Sequence, residues 1–545
     1  MSYIQFGNKK TKLNPDNSIF NHADELNVKI PTSCGRNGRC HECVIEIKRG
    51  IENLSKPTKT EDFLNGNFRL ACQTKPKNAT TTIEFSLLKR QPKILTEFEN
   101  KDFEIIPRIY KKNDTVYADS TAIDKYEGSI LGIAMDIGTT TVTYNIVNLE
   151  SGKILYTGSF ENPQKFGGSD IMNRISYDGT KFKGELQNAI ISGINYEIRN
   201  ACKNLKIRRK HIYEILVVGN STMRDIFFGI DVQSIGQRPY KSIIEHEFIA
   251  GSRNTTTLND NAKNLGLQIS SKGLIYGVSL ISSHIGADVA ADLIATNMDT
   301  DTNKINMLID IGTNTEVVIG NQNKMFAASC PAGPAFEGGE IRFGMPGYDG
   351  AIESIAIEKN LSVDYATINN EPVIGICGSG LIDLLAELRN VKHLNHLGAF
   401  ADNSYEFIID KQNNITINRQ EISSLAQAKS ANYCGQFITA QKFGVKFSDI
   451  NQIFLSGAFA NYINIENAKQ IGFIPNIKEN NFKKIGNASL LGATILLLST
   501  KRRNSLNDLI KNIQHIELET QSDFFETFVE GCMFKPMQEI SQNPN

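Results

Sequence analysis

Residues 133–147, I-A-M-D-I-G-T-T-T-V-T-Y-N-I-V, and residues 307–320, M-L-I-D-I-G-T-N-T-E-V-V-I-G, are two copies of one pattern. Each is an apolar run ending on an aspartate, then a glycine turn with hydroxyl residues, then a second β-rich run. The pattern predicts a hairpin that faces phosphate. Gly138 and Gly312 keep the turn free of side chains, so that backbone N–H groups can approach phosphate oxygens. Thr139, Thr140, Thr141 and Thr313 offer hydroxyl donors, with Asn314 beside them. Asp136 and Asp310 can hold the waters of Mg2+, which keeps much of its hydration shell. A single copy is an ordinary hairpin with a polar turn. Two copies one domain half apart are an internal repeat suited to clamping a triphosphate from both sides.

The pair resembles the two phosphate motifs of the ASKHA superfamily of sugar and acetate kinases, heat-shock chaperones and actin. That resemblance implies a two-lobed α/β ATPase, spanning 130–300 and 301–545, with ATP in the cleft and opening and closing as nucleotide changes. It also implies an adenosine element near the C-terminal end, and Q-I-F-L-S-G-A-F (Gln452–Phe459) matches, which places Gly457 and Ala458 at the nucleotide. Gly378, Ser379 and Gly380, in I-C-G-S-G-L-I-D, read as nucleotide contacts or as a close helix start, and not as a nucleophile. Glu316 lies six residues after Asp310 and is a candidate water-activating residue, the alternative being a solvated strand position. Asp288, in H-I-G-A-D-V-A-A, is by default a cap or first-turn acid of a helix, with a catalytic role as the alternative.

Upstream, C-G-R-N-G-R-C-H-E-C supplies Cys34, Cys40 and Cys43, and R-L-A-C-Q-T supplies Cys72. Three thiolates from one glycine-rich loop and a fourth from a separate strand suit a 2Fe–2S cluster. Gly35 and Gly38 can take positive φ and let N–H groups approach the sulfurs. A structural zinc site is the alternative, but the C-x5-C arm and the lone Cys72 fit paired zinc knuckles poorly. Strand-like runs at Tyr3–Phe6, Val44–Ile47 and Thr81–Phe85 flank the loop, and together they resemble a β-grasp 2Fe–2S ferredoxin over residues 1–90. Residues 91–129, charged and broken by Pro92 and Pro107, read as a linker or a reduced middle domain.

The totals exclude several classes. At 545 residues with 58 basic and 59 acidic side chains, the net charge of −1 argues against a nucleic-acid binder that relies on a positive field. No run reaches the roughly 18 apolar residues of a spanning helix, and Leu490–Leu498, with Gly492 and Thr494 inside it, reads as a buried helix. Residues 1–20 have no apolar signal core and nine cysteines show no disulfide framework, so a reducing cytoplasm is expected.

Further segments follow in order: V-V-G-N-S-T-M (Val217–Met223), P-A-G-P-A-F-E-G-G (Pro331–Gly339), S-G-A-F-A-N-Y-I (Ser456–Ile463) and I-G-N-A-S-L-L-G-A (Ile485–Ala493). With the N-terminal ferredoxin they resemble the reductive activators of corrinoid proteins, over nearly the whole chain. The resemblance implies an activase that passes one electron from its 2Fe–2S cluster to a corrinoid protein, restoring Co(I) from Co(II) with ATP and Mg2+. It further implies an upstream low-potential donor, and ASKHA halves of this type suggest a homodimer. Competing readings are a priming protein of the 2-hydroxyacyl-CoA dehydratase activator kind, with Cys330 and Cys377 as cluster ligands, a redox-sensing ATPase, and a small-molecule kinase. His393 and His396 read as a surface helix feature, and Phe524, Phe525 and Phe528 as one face of a C-terminal helix.

Overall fold

The structure, a computed structural model, describes residues 2–32, 34–78, 81–87, 103–312, 314–457 and 460–540. Thr313, Ala458 and the first part of the linker, 91–102, therefore lie outside the described residues. The chain divides into two compact units: one holds the N-terminal module, residues 104–283 and 497–500, and the other holds 284–496 and the chain from 501 onward.

The N-terminal module is a five-stranded sheet in the order Lys9–Lys12, Tyr3–Phe6, Ile83–Leu87, Val44–Arg49, Phe68–Leu70. The first and last strands of the module in sequence, Tyr3–Phe6 and Ile83–Leu87, run parallel, and the others pair antiparallel. The helix Ile19–Glu25 lies between them in sequence. It starts at Ser18, which forms a reciprocal capping box with Asn21 and buries Ile19, Phe20 and Ala23. This is the β-grasp arrangement that the resemblance to 2Fe–2S ferredoxins implies. Residues 109–125 fold as a three-stranded antiparallel sheet of Ile109–Lys112, Thr115–Ala118 and Thr121–Lys125.

The repeat seen in the sequence is a repeat of topology. In the first unit the strands Ile154–Glu161, Thr141–Asn148, Leu131–Ile137, Ile212–Val218 and Leu274–Gly277 are neighbours in that order. In the second unit Lys324–Cys330, Thr315–Asn321, Asn306–Ile311, Gln452–Ser456 and Phe482–Gly486 repeat the order. Each set is an antiparallel meander followed by two parallel strands. The central strands Leu131–Ile137 and Asn306–Ile311 are buried along their length except at the aspartate, as strands covered on both faces are. The parallel neighbour ends in each unit on a glycine. Gly219 (φ +149°) and Gly457 (φ +109°) each pass so close that a Cβ would lie 2.6 and 2.1 Å from the carbonyl oxygens of Ile137 and Ile311. Only glycine lets the chain cross directly over the end of the aspartate strand.

The run 490–498 is part of a helix, Ala488–Leu498, and Gly492 packs against the backbone of Ala291 in the helix Ala287–Thr296. Among the described residues no helix is long and apolar enough to cross a membrane. Two local expectations change. His393 lies beyond the end of the helix Gly378–Asn390, buried against Phe400 and Phe407, and is not a surface helix residue. In the helix Phe524–Gly531, Phe524 and Phe528 pack inward one turn apart, while Phe525 is 75% exposed.

Candidate functional site

The first hairpin turns at Gly138, whose N–H donates to Thr141 O and so closes the turn itself; Gly312 does the same to Asn314 O. The N–H groups of both glycines are thus spent inside the turn. The loop around the first is braced from three sides. Asn162 Nδ2 donates to Gly138 O (2.8 Å), Asn220 Nδ2 donates to Thr139 Oγ1 (3.1 Å), and Arg174 donates to Thr139 O (2.7 Å). Thr140, at the tip, is exposed, and Asp136 and Thr141 are half-buried. The side chain of Asn220 also caps the helix Ser221–Phe227.

In the second unit the carboxylates gather. Asp310 and Glu316 are cross-strand partners, Ser456 is the parallel neighbour of Asp310, and Ser329 donates to Glu316 Oε1 (3.0 Å). Asp288 sits in the first turn of Ala287–Thr296, whose cap is Gly286, and its Oδ1 accepts from the N–H of Val289 (2.9 Å). All three acids are half-buried. Dense surroundings, then the charge of Asp310, push the Asp288 carboxyl up to about 7. Burial raises Asp310 to about 6 against the bonds from Ser456 and Asp292. Burial and the charges of Asp288 and Asp310 raise Glu316 well above the carboxylate range. Burial and mutual repulsion thus keep protons on these three acids, and a positive charge beside them would relieve both. The sequence left Asp288 and Glu316 each with a bland alternative; the fold brings both to Asp310.

Ser379 is fully buried and donates to Glu353 O (2.8 Å), and a Cβ on Gly380 would meet Ile352 O at 2.4 Å. The segment is a tight helix start against a strand. Gly457 crosses the end of the Asp310 strand. Cys330 and Cys377 are buried; burial, then Glu316, keeps the Cys330 thiol protonated, and Cys377 donates to Ile352 O. Neither thiol offers the exposed ligand that a cluster shared between subunits requires.

In the N-terminal module Gly35 (φ +67°) and Gly38 (φ +80°) take the left-handed conformation. The cysteines fall into pairs. Cys43 Sγ donates to Cys72 Sγ at 3.3 Å. That bond first, against burial, then Gln73 and the N–H of Gly38 bring Cys72 down to about 6. Burial opposes ionisation of Cys34, but the N–H and thiol of Cys40 and the N–H groups of Asn37 and Arg39 bring it down to about 6. Among the described residues no three His, Cys, Asp or Glu side chains gather closely enough to hold a metal ion. A 2Fe–2S cluster asks for less, two thiolates per iron, and the pairs Cys34/Cys40 and Cys43/Cys72 with inward N–H donors fit it. Mg2+ likewise needs few direct ligands, because it keeps its waters. An iron assay on anaerobically purified protein should give about two irons per chain, and Cys72→Ser should lose most of that iron. Four irons shared per dimer beyond those two would restore the dehydratase-activator reading.

Fold and site together define a ferredoxin joined to an ASKHA ATPase. Three known domain families match in order: a 2Fe–2S iron–sulfur cluster binding domain over 6–77, the RACo middle region over 131–301, and the C-terminal ASKHA domain of RACo over 304–544. The chain is 32% identical over 434 residues to the corrinoid activation enzyme RamQ of Eubacterium limosum, covering 75% of this chain and 71% of that one. It is 22% identical over 427 residues to a [Co(II) methylated amine-specific corrinoid protein] reductase of Methanosarcina barkeri, covering 72% and 75%. A solved reductive activator for corrinoid, iron–sulfur protein superposes with a TM-score of 0.71 at 26% identity, over 99% of both chains. The chain belongs to the family of corrinoid reductive activators. The middle region of that family falls on 131–301, C-terminal to the linker.

Proposed function

We propose that this protein is an ATP-dependent activase that delivers one electron to the Co(II) of a corrinoid protein in a methyl-transfer pathway, returning it to Co(I). The observation that carries the reading is the joining, in one chain, of a glycine-rich cysteine loop whose Cys43 reaches Cys72 and an aspartate hairpin repeated in both ATPase sheets. The 2Fe–2S cluster, when bound, supplies a one-electron reductant near about −400 mV. Cys34, Cys40, Cys43 and Cys72 hold it. In each unit the aspartate of the hairpin, Asp136 in the first and Asp310 in the second, would hold waters of Mg2+. In the first unit the turn with Thr139, Thr140 and Thr141, and in the second the turn with Gly312, Thr313 and Asn314, would each receive phosphate, and Gly457 and Ala458 would serve the nucleoside. In its ionised form Glu316 would orient the water that attacks the γ-phosphate and accept its proton, yielding ADP and phosphate.

Every 100 mV uphill costs one electron about 2.3 kcal/mol, and nucleotide coupling energies are about 1–3 kcal/mol. ATP can therefore offset a gap of that size, provided nucleotide favours one conformation over another. The protein works in the cytoplasm as a homodimer, with a low-potential carrier re-reducing it. Prereduced protein mixed with its corrinoid partner should give the Co(I) absorption band with Mg-ATP and little of it without. Equal rate and extent in both would remove ATP from the reaction and sink the proposal.

A further inference from the structure

The ferredoxin module and the first ATPase sheet belong to one continuous apolar core. Phe63 of the module meets Phe166 edge-on, and Phe166 meets Tyr177. The hydroxyl of Tyr177 donates to the backbone oxygen of Phe63. Around this contact Lys165 pairs with Glu46 (3.3 Å) and His41 with Glu185 (3.0 Å). Phe166 and Tyr177 both lie in the stretch from Glu161 to Asp178, and so do two of the three side chains that brace the first hairpin. Asn162 holds Gly138 O, and Arg174 holds Thr139 O.

Arg174 is 1% exposed, yet its bonds run to neutral acceptors: Thr139 O, Gly168 O, Gln164 Oε1 and Met223 Sδ. A guanidinium in such a place is normally matched by a carboxylate. Burial drags its affinity for a proton down to about 10, and Asp170 opposes this only by its charge. An anion at the adjacent turn is the partner this cation lacks. Arg174 and Tyr177 sit three residues apart on one short helix, Ile171–Asp178, so a shift of the first carries the second.

We propose that Arg174 and Tyr177 are positioning residues which couple nucleotide at the first hairpin to docking of the ferredoxin module. Phosphate arriving beside Thr139 draws Arg174 away from its neutral acceptors. The helix shifts, the Tyr177–Phe63 bond loosens, and the module is released to carry its electron. The inference rests on ATP binding at that hairpin, as in the proposed function, but needs no corrinoid.

The test uses full-length holoprotein without any corrinoid protein, so its outcome is independent of the cobalt assay. Amide hydrogen exchange is followed with and without a non-hydrolysable Mg-ATP analogue. In the natural chain the analogue should speed exchange in residues 39–48 and 61–66. Tyr177→Phe, far from the phosphates, should speed exchange there without nucleotide. Because docking competes with nucleotide, Tyr177→Phe should also tighten analogue binding at least about fivefold, the reciprocal effect that linkage demands. Arg174→Met should bind the analogue with no change in exchange at 61–66. Exchange that ignores the analogue in the natural chain, or an unchanged Kd in Tyr177→Phe, overturns the proposal. Should Arg174→Met fail to fold, those two measurements still decide it.

Discussion

Glu316→Gln should lower ATP turnover by about 10²- to 10⁴-fold, the range a positioned general base supplies, while leaving iron content unchanged. The same acids predict an unusual pH dependence. Asp288 is raised to about 7 and Asp310 to about 6, and burial with the charges of both raises Glu316 well above the ordinary glutamate range. Unfolded carboxyls titrate near about 4. Between these values the folded chain binds more protons than the unfolded one, so stability from this site falls as pH rises through the window. Mg2+ with nucleotide replaces those protons. The gain in Tm from Mg-ADP should therefore be larger at pH 8 than at pH 5.5. Affinity should fall about tenfold per unit of pH for each proton displaced as pH drops below about 6. Asp288→Asn should flatten that dependence, which separates it from titration of the nucleotide itself. An equal Tm gain at both pH values would mean that these acids do not face the cation.

How much of this was legible beforehand depends on whether a contact is local. The Asp–Ile–Gly turns could be read because a hairpin is made by residues a few positions apart, and its glycine and hydroxyl chemistry is written in one stretch. The cysteine loop was legible for the same reason. Glu316 and Asp288 stayed ambiguous because their meaning depends on which carboxylate lies opposite, and strand pairing and a helix from before the hairpin decide that. One signal was available and unread. V-V-G-N in the first unit and L-S-G-A in the second are the same crossing glycine, at Gly219 and Gly457, and would have extended the repeat beyond the hairpins. Arg174 had no local signature at all. Its significance is the absence of a carboxylate among its bonds, and only a fold exposes that.

The other large effect concerns Cys72, which lies in the turn after the strand Phe68–Leu70, and that strand is held by a buried ion pair. Glu61 and Arg69 are 1% and 3% exposed, and Arg69 Nε donates to Glu61 Oε1 at 2.9 Å, with Nη2 to Oε2 at 3.3 Å. Glu61 also accepts from the N–H groups of Leu70 (3.0 Å) and Thr58 (2.8 Å) and from Thr74 Oγ1 (3.2 Å). Burial opposes its charge, but the Arg69 guanidinium and these N–H groups hold it below the ordinary glutamate range. The pair thus locks Arg69–Leu70, and with them the turn that presents Cys72, to the loop at 58–61. Glu61→Ala leaves a buried guanidinium alone, a change that costs about 3–5 kcal/mol, and it should release most of the cluster iron without touching a cysteine. Glu61→Gln should cost less, because its amide oxygen still accepts from Leu70. The pH dependence has the opposite sense to that of the ATPase acids. A depressed folded pKa gives stability that is complete above the unfolded glutamate value of about 4.3 and is lost as pH falls through the folded one. Acid loss of the visible cluster absorbance should therefore begin below about pH 4 in the natural chain, and Glu61→Gln should lose that acid step while starting from a lower Tm. If Glu61→Ala keeps its iron and its Tm, the position of Cys72 is set by the sheet alone.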